Sequence, residues 1–287
     1  MGRISWSQVQ TYTQCPYKWK LNYIDNLRTF TDSIFTVYGK ALHDTLQTYL
    51  TKMYSVSIKE ADEIDLPNML VDRLKWHYSE GVKNANGVHF STQEQLTEFC
   101  IQGAKALDWF KRRRADYFSK KDWELLGVEV PIETMYKNVD VLGYIDVLMR
   151  NTNTGKIKVI DIKTSTRGWK KEKTDPMKRG QLLFYKKFIA EKYDVDISMV
   201  DVEFIIVKRL VWENSDFPTK YIQRFEPPSA GVSINRIFKQ VDLFISECFN
   251  KDGSYNTETN YEKLGVQNKC KWCEFADKPE LCDKGKS

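Results

Sequence analysis

The residues best equipped for chemistry lie in residues 139–163, VDVLGYIDVLMRNTNTGKIKVIDIK. Two runs rich in Val, Leu, Ile and Tyr, 139–150 and 157–163, flank the turn-forming cluster NTNTGK, a pattern that predicts a β-hairpin. A symmetric turn sets Asp146 opposite Asp161 and Tyr144 opposite Lys163. Alternation along a strand then puts Asp146, Asp161 and Lys163 on one face. Opposed Cβ atoms are only about 4.5–5.5 Å apart. Two carboxylates that close, set among Val, Ile and Leu, repel each other and call for a compensating charge. A hard divalent cation, Mg²⁺ or Mn²⁺, meets that need with carboxylate, water and phosphate oxygens as ligands. A lysine two residues on can orient an attacking water and offset charge developing on a phosphorane. The plainer alternative is an exposed hairpin face carrying an Asp161–Lys163 salt bridge.

The elements around the hairpin follow from periodicity. Residues 5–15 form a short helix capped by Ser5 and ended by Pro16, followed by the aromatic-rich segment from Tyr17 to Ile24. Residues 35–54 carry Val37, Ala41, Leu42, Leu46, Tyr49, Leu50 and Met53 near helical spacing. In that helix Gly39 and His43 share a face; the glycine allows another backbone to approach, and His43 then points into the same crevice. Helices over 66–81 and 92–118 are separated by NANGVHFS, and the second carries Lys111-Arg112-Arg113-Arg114, a solvated face or a phosphate contact. His77 and His89 suggest no partners. After residue 124 the period changes. ELLGVEVPIETMY predicts a strand containing Glu129, with Pro131 at its end or on an edge. Beyond the hairpin come the loop TSTRGWKKEKTD and a helix from Pro176 to Tyr193. Gln181 and Tyr185 share a face of that helix. Strands over 202–208 and 221–225 and an amphipathic helix over 235–249 complete a mixed α/β sheet flanked by helices.

Composition bounds the rest. The 287 residues are 41% hydrophobic, 29% charged and 13% aromatic, as in a water-soluble globular chain able to bury a substantial core. There is no apolar run long enough to span a membrane and no apolar leader at the N-terminus, so a cytoplasmic protein without membrane contact is expected. A net charge of +5 does not by itself announce a polyanion partner. No internal repeat or low-complexity linker appears, so a single domain over 1–287 is expected, with a helical insertion over about 50–120 and a cysteine segment over 265–287.

Six cysteines are present. Cys270, Cys273 and Cys282 stand in a lysine-rich tail with little core-forming pattern, and a C-x₂-C pair in a cytosolic chain points to metal or redox chemistry. Cys15, near the other terminus, is the candidate fourth ligand. Four thiolates suit zinc or an iron–sulfur cluster, and either would couple metal binding to folding. Cys100 and Cys248, beside Phe99 and Phe249, are expected to be buried and inert.

Taken together, His43, Glu129, Asp146, Asp161-Ile162-Lys163 and Gln181 with Tyr185 come in an order that resembles the PD-(D/E)XK nucleases of the RecB type. The segments SWSQVQTYTQCPYKWKL and FTVYGKALHDTL resemble that family's N-terminal helices. The framing cysteines resemble its iron–sulfur branch, which includes the AddB nuclease domain and the CRISPR-adaptation exonucleases. Ile145 stands where the family name has proline. The resemblance implies a restriction-endonuclease-like core, with a [4Fe–4S] cluster on Cys15, Cys270, Cys273 and Cys282 joining the N- and C-terminal segments. It also implies a metal held by His43, Asp146, Asp161 and the Ile162 carbonyl, a catalytic Lys163, Gln181 and Tyr185 lining the site, and Glu129 positioning the metal or its water.

The expected function is a Mg²⁺- or Mn²⁺-dependent deoxyribonuclease, an exonuclease acting on DNA ends or single strands. Arg167, Trp169, Lys170 and Lys171, just past the active strand, could hold phosphates and stack a base, or form a solvated turn. The sequence contains no G-x-x-x-x-G-K-[ST] motif, so unwinding would fall to a helicase or recombination partner. Two rival readings are a nucleic-acid-binding subunit of a repair, recombination or CRISPR-adaptation complex with little activity alone, and a zinc-stapled structural protein.

Overall fold

The computed structural model describes residues 2–28, 32–212 and 220–283. The last residues of the cysteine segment, 284–287, lie outside the described residues. The chain divides into two compact units. One comprises Met1–Phe30, Pro131–Gly143 and Gly231–Ser287; the other comprises Thr31–Val130 and Tyr144–Ala230.

In the first unit a short strand, β1 (Arg3–Ile4), leads into helices α1 (Trp6–Gln14) and α2 (Pro16–Tyr23). Pro16 does more than end a helix. Cys15 is extended, with φ −164° and ψ 114°, and Pro16 opens α2, where its missing N–H costs no hydrogen bond. The aromatic segment is therefore a second helix, and Trp19 is its anchor. Its buried ring lies 5.3 Å from Phe244, 5.5 Å from Tyr255 and 5.4 Å from Tyr261. Its indole N–H donates to Gln8 Oε1 at 3.1 Å, which keeps that polar atom satisfied in the core.

The second unit holds most of the sheet. Its long helix α3 (Ile34–Ser55) opens on a capping box between Ser33 and Thr36. After α4 (Ile58–Asp62), α5 (Leu66–Asn84) begins with Asp65 capping Asn68 N and a proline in its first turn. A second capping box, Thr92 with Gln95, starts α6 (Gln93–Arg113). The basic run in α6 is largely spent within this unit. Lys111 donates to the carbonyls of Asp62 and Ile64, Arg114 pairs with Asp62 at 3.1 Å, and Arg112 pairs with Asp108 at 2.7 Å. Strands β2 (Trp123–Tyr136) and β3 (Val139–Asn151) contribute residues to both units. In the first unit β1 runs parallel to β3 through Arg3↔Asp140 and Ile4↔Val141.

β3 turns into β4 (Ile157–Ser165) with antiparallel pairs Val147↔Ile160 and Leu148↔Val159. This is the register expected from the symmetric turn. Helix α7 (Pro176–Lys192) is the crossover to β5 (Val200–Lys208), which runs parallel to β4 from Ile157↔Val200 to Ser165↔Lys208. β6 (Ile222–Phe225) closes the edge antiparallel to β5. The sheet is mixed and flanked by helices, as expected. β4 and β5 read as nearly unbroken Val and Ile runs because helices cover them: one face packs Val147, Ile160, Ile162, Ile205 and Val207 into the core with α3, α5 and α6, and α7 packs on β4 and β5. In the first unit, helices α8 (Gly231–Cys248) and α9 (Gln267–Cys270) follow. Among the described residues, no helix is long and apolar enough to cross a membrane.

Candidate metal-dependent active site

The register of β3 and β4 decides the site. One position beyond the Val147↔Ile160 pair, Asp146 comes level with Asp161, and its Oδ2 accepts a hydrogen bond from Ile162 N at 2.6 Å. Helix α3 brings His43 to the same place, Nδ1 lying 3.6 Å from Asp146 Oδ2. Gly39 is not the steric necessity that its spacing suggested. A methyl there would meet Thr164 Oγ1 at 3.5 Å, an ordinary van der Waals contact.

β2 delivers Glu129 with an unusual backbone. Its φ is +47°, a left-handed conformation inside a strand that costs on the order of 1–3 kcal/mol for a side chain of this kind. The carboxylate is held by Gln47, whose Nε2 donates to Glu129 Oε1 at 2.7 Å and to the Asp146 carbonyl at 3.2 Å. Gln47 was not singled out from the sequence. Its signal was its place one helical turn after His43, on the same face. One ligand atom each from His43, Glu129 and Asp146 can be chosen so that all lie within 4.8 Å of one another.

Asp161 is only 2% exposed. Lys163 Nζ forms an ion pair with Asp161 Oδ2 at 2.8 Å, so the salt bridge of the plainer alternative is present, but on a buried carboxylate and not on an exposed face. A buried carboxylate beside two further carboxylates and an imidazole that converge within 4.8 Å is a donor set that a divalent cation satisfies. The residues present fit such an ion.

Burial pushes the carboxyls of Asp146 and Asp161 up to about 6, with the Lys163 ammonium pulling back on each. For Lys163, burial alone would lower the value, but Asp161 and Asp146 outweigh it and hold it above the ordinary lysine value. Lys163 is therefore held in its charged form. His43 is pushed below the usual histidine value by burial and by Lys163, which leaves a neutral imidazole with a lone pair to offer. On α7, Gln181 Nε2 donates to Tyr185 Oη at 3.2 Å, and burial raises that phenol to about 12, so Tyr185 remains a hydrogen-bond donor near neutrality.

The loop after β4 departs from expectation at one residue. Arg167, Lys170 and Lys171 are exposed, but Trp169 is 8% exposed, its ring 4.9 Å from Phe204 and its backbone N–H and C=O both bonded to Gln223. In this conformation the ring is an anchor for the loop, not a free stacking platform. The histidines expected to be without partners have them. His77 Nε2 meets Asp44 at 2.7 Å and His89 Nδ1 meets Tyr78 Oη at 3.1 Å.

In the first unit, Cys15, Cys270, Cys273 and Cys282 line one cavity of about 40 Å³, together with Tyr17, Leu21, Val266 and Phe275. Among the described residues no three of their sulfurs lie within 4.8 Å of one another. Cys248 is buried, as expected, while Cys100 is only half-buried; burial raises both thiols and makes them poor nucleophiles.

No curated protein matches the chain. A family model, described as the PD-(D/E)XK nuclease superfamily, matches residues 3–278. With that match across nearly the whole chain, and acids and a lysine gathered on a hairpin of a mixed sheet, the chain belongs to the PD-(D/E)XK nuclease superfamily.

Proposed function

We propose that the protein is a Mg²⁺- or Mn²⁺-dependent deoxyribonuclease that hydrolyses phosphodiesters at DNA ends or in single strands, as an exonuclease of the RecB type. The observation that carries this reading is the convergence of His43, Glu129 and Asp146 beside the buried Asp161 and the cationic Lys163. His43, Asp146, Asp161 and the Ile162 carbonyl would hold the ion, with Glu129 holding it or its water. When bound, such an ion supplies Lewis-acid polarisation of the phosphate and makes water a better nucleophile. The chain's own residues supply the rest. Lys163, kept charged by the two aspartates, orients the incoming water and offsets the negative charge that develops on the phosphorane. Tyr185, held by Gln181, donates a hydrogen bond at the rim. Arg167, Lys170 and Lys171 meet phosphates of the incoming strand, and Trp169 keeps their loop in place.

Cys15, Cys270, Cys273 and Cys282 would carry a [4Fe–4S] cluster, placing the chain in the iron–sulfur branch that includes the AddB nuclease domain. The observation that supports a shared metal group is that the four cysteines line one cavity; zinc is the alternative occupant of four thiolates. In this reading residues 1–287 form one nuclease domain, with α4 to α6 as its helical insertion, and a helicase or recombination partner supplies any unwinding.

The test is digestion of 5′- and 3′-labelled single-stranded DNA by anaerobically purified protein with Mg²⁺ or Mn²⁺, beside Lys163→Ala. Metal-dependent cleavage that falls by about 10²–10³-fold in the variant is the expected result, and the label pattern assigns polarity. A folded wild-type protein that binds DNA and cleaves nothing would make it a binding subunit instead.

A further inference from the structure

Beside the carboxylate centre lies a cleft of about 470 Å³ between α3 and α5, whose lining includes Asp44, Gln47, Thr48, Lys52, Arg73 and Val128. Its link to the site is direct: Gln47 is the residue that holds Glu129, and Val128 precedes Glu129 in β2. The helix spacing accounts for the arrangement. His43 and Gln47 share one face of α3, while Asp44, Thr48, Thr51 and Ser55 form the adjoining stripe at three- and four-residue steps.

The chemistry of the lining is that of a phosphodiester site. Arg73 and Lys52 are both half-buried, and among the described residues neither has a carboxylate within ion-pair distance. Arg73 is instead oriented by Thr48, to whose Oγ1 its Nη2 donates at 2.7 Å, which leaves most of its guanidinium donors for a ligand. The cleft's acid, Asp44, is already engaged by His77 at 2.7 Å. Two partly desolvated cations with hydroxyls between them, and no carboxylate paired with either, match a sugar–phosphate backbone. From Asp44 to Val56 the helix face runs about 18 Å at 1.5 Å per residue, long enough for several linked phosphates.

We propose that the strand engaged at the His43–Glu129–Asp146 centre continues along this cleft, where Arg73 and Lys52 each meet a backbone phosphate of single-stranded nucleic acid. The location relative to the scissile phosphate rests on the nuclease reading; the binding does not. It makes the protein a reader of polynucleotides over several phosphates beyond the reacting one.

The experiment measures binding of fluorescent oligo(dT) by anisotropy in EDTA, across a range of salt concentrations, for the wild-type protein and for Lys52→Gln, Arg73→Gln and the double variant. For single strands the logarithmic salt slope changes by about 0.7 per phosphate contact. Each single variant should therefore flatten the slope by about 0.7 and the double variant by about 1.4. A double variant with wild-type slope and affinity overturns the proposal. Because no metal is present, the outcome is separate from catalysis: flattened slopes from a protein that never cleaves DNA keep the cleft and sink the nuclease reading.

Discussion

At the scale of single residues, Gln47 and the two buried aspartates are the most informative. Gln47 is not a proposed metal ligand, yet its amide holds the Glu129 carboxylate and ties it to the Asp146 carbonyl. It is a positioning residue. Gln47→Met keeps the volume and removes the donor, and losing the hydrogen bond that orients a metal-binding carboxylate costs about 10–100-fold in metal affinity. Mn²⁺ titration followed by electron paramagnetic resonance should show that weakening without a matching drop in the melting temperature of the metal-free protein. Unchanged Mn²⁺ affinity would reduce Gln47 to packing. The aspartates set a pH dependence. Burial raises both to about 6, above their unfolded value of about 3.9. Their protonation therefore favours the metal-free fold: that contribution is fully present below about pH 4 and is lost as pH rises through about 6. A divalent ion needs the ionised forms, so its affinity should fall by up to about tenfold per pH unit for each acid below that point. The rise in melting temperature caused by Mg²⁺ should thus be small near pH 5 and grow towards pH 7. An equal rise at both would contradict the assignment of these acids as ligands.

At the scale of elements, the site depends on α3 being held against the sheet by α5 and α6. Gly103 in α6 permits that packing. A methyl there would overlap Leu70 of α5 and approach the Tyr38 ring at 2.9 Å, and both neighbours are buried. Gly103→Ala should destabilise the protein by about 1–3 kcal/mol through overpacking, measured by urea denaturation at constant m-value. Tyr38 also shows why this region tolerates little change. Its hydroxyl is buried without a hydrogen-bond partner, and its ring is packed against Phe99 at 5.3 Å.

At the scale of the whole molecule, the metal-site proposals concern different units: carboxylates in one and thiolates in the other. Cys270→Ser should remove the brown colour and the labile sulfide of anaerobically purified protein and lower its melting temperature, since cluster binding is coupled to folding. A colourless wild-type protein containing one zinc would replace the cluster assignment. The dense aromatic packing around Trp19 lies in the unit that holds those cysteines.

The sequence by itself determined the hairpin and its register, because side-chain alternation and a turn of known composition leave few pairings that bury Val147, Ile160 and Ile162 together. It also determined the long helix carrying His43 and the crossover helix carrying Gln181 and Tyr185, since their apolar stripes extend over several turns. Pro16 is ambiguous in sequence, as one residue can stop a helix or start one, and the extended backbone at Cys15 decides between them. Only the tertiary structure brought Glu129 to His43 and Asp146, because its left-handed φ has no local signature in a non-glycine residue. Only tertiary packing, too, turned Trp169 inward onto Phe204, gave His77 to Asp44, and enrolled Gln47. Periodicity records which face a residue occupies; which neighbour meets that face is settled by contacts between residues distant in the chain.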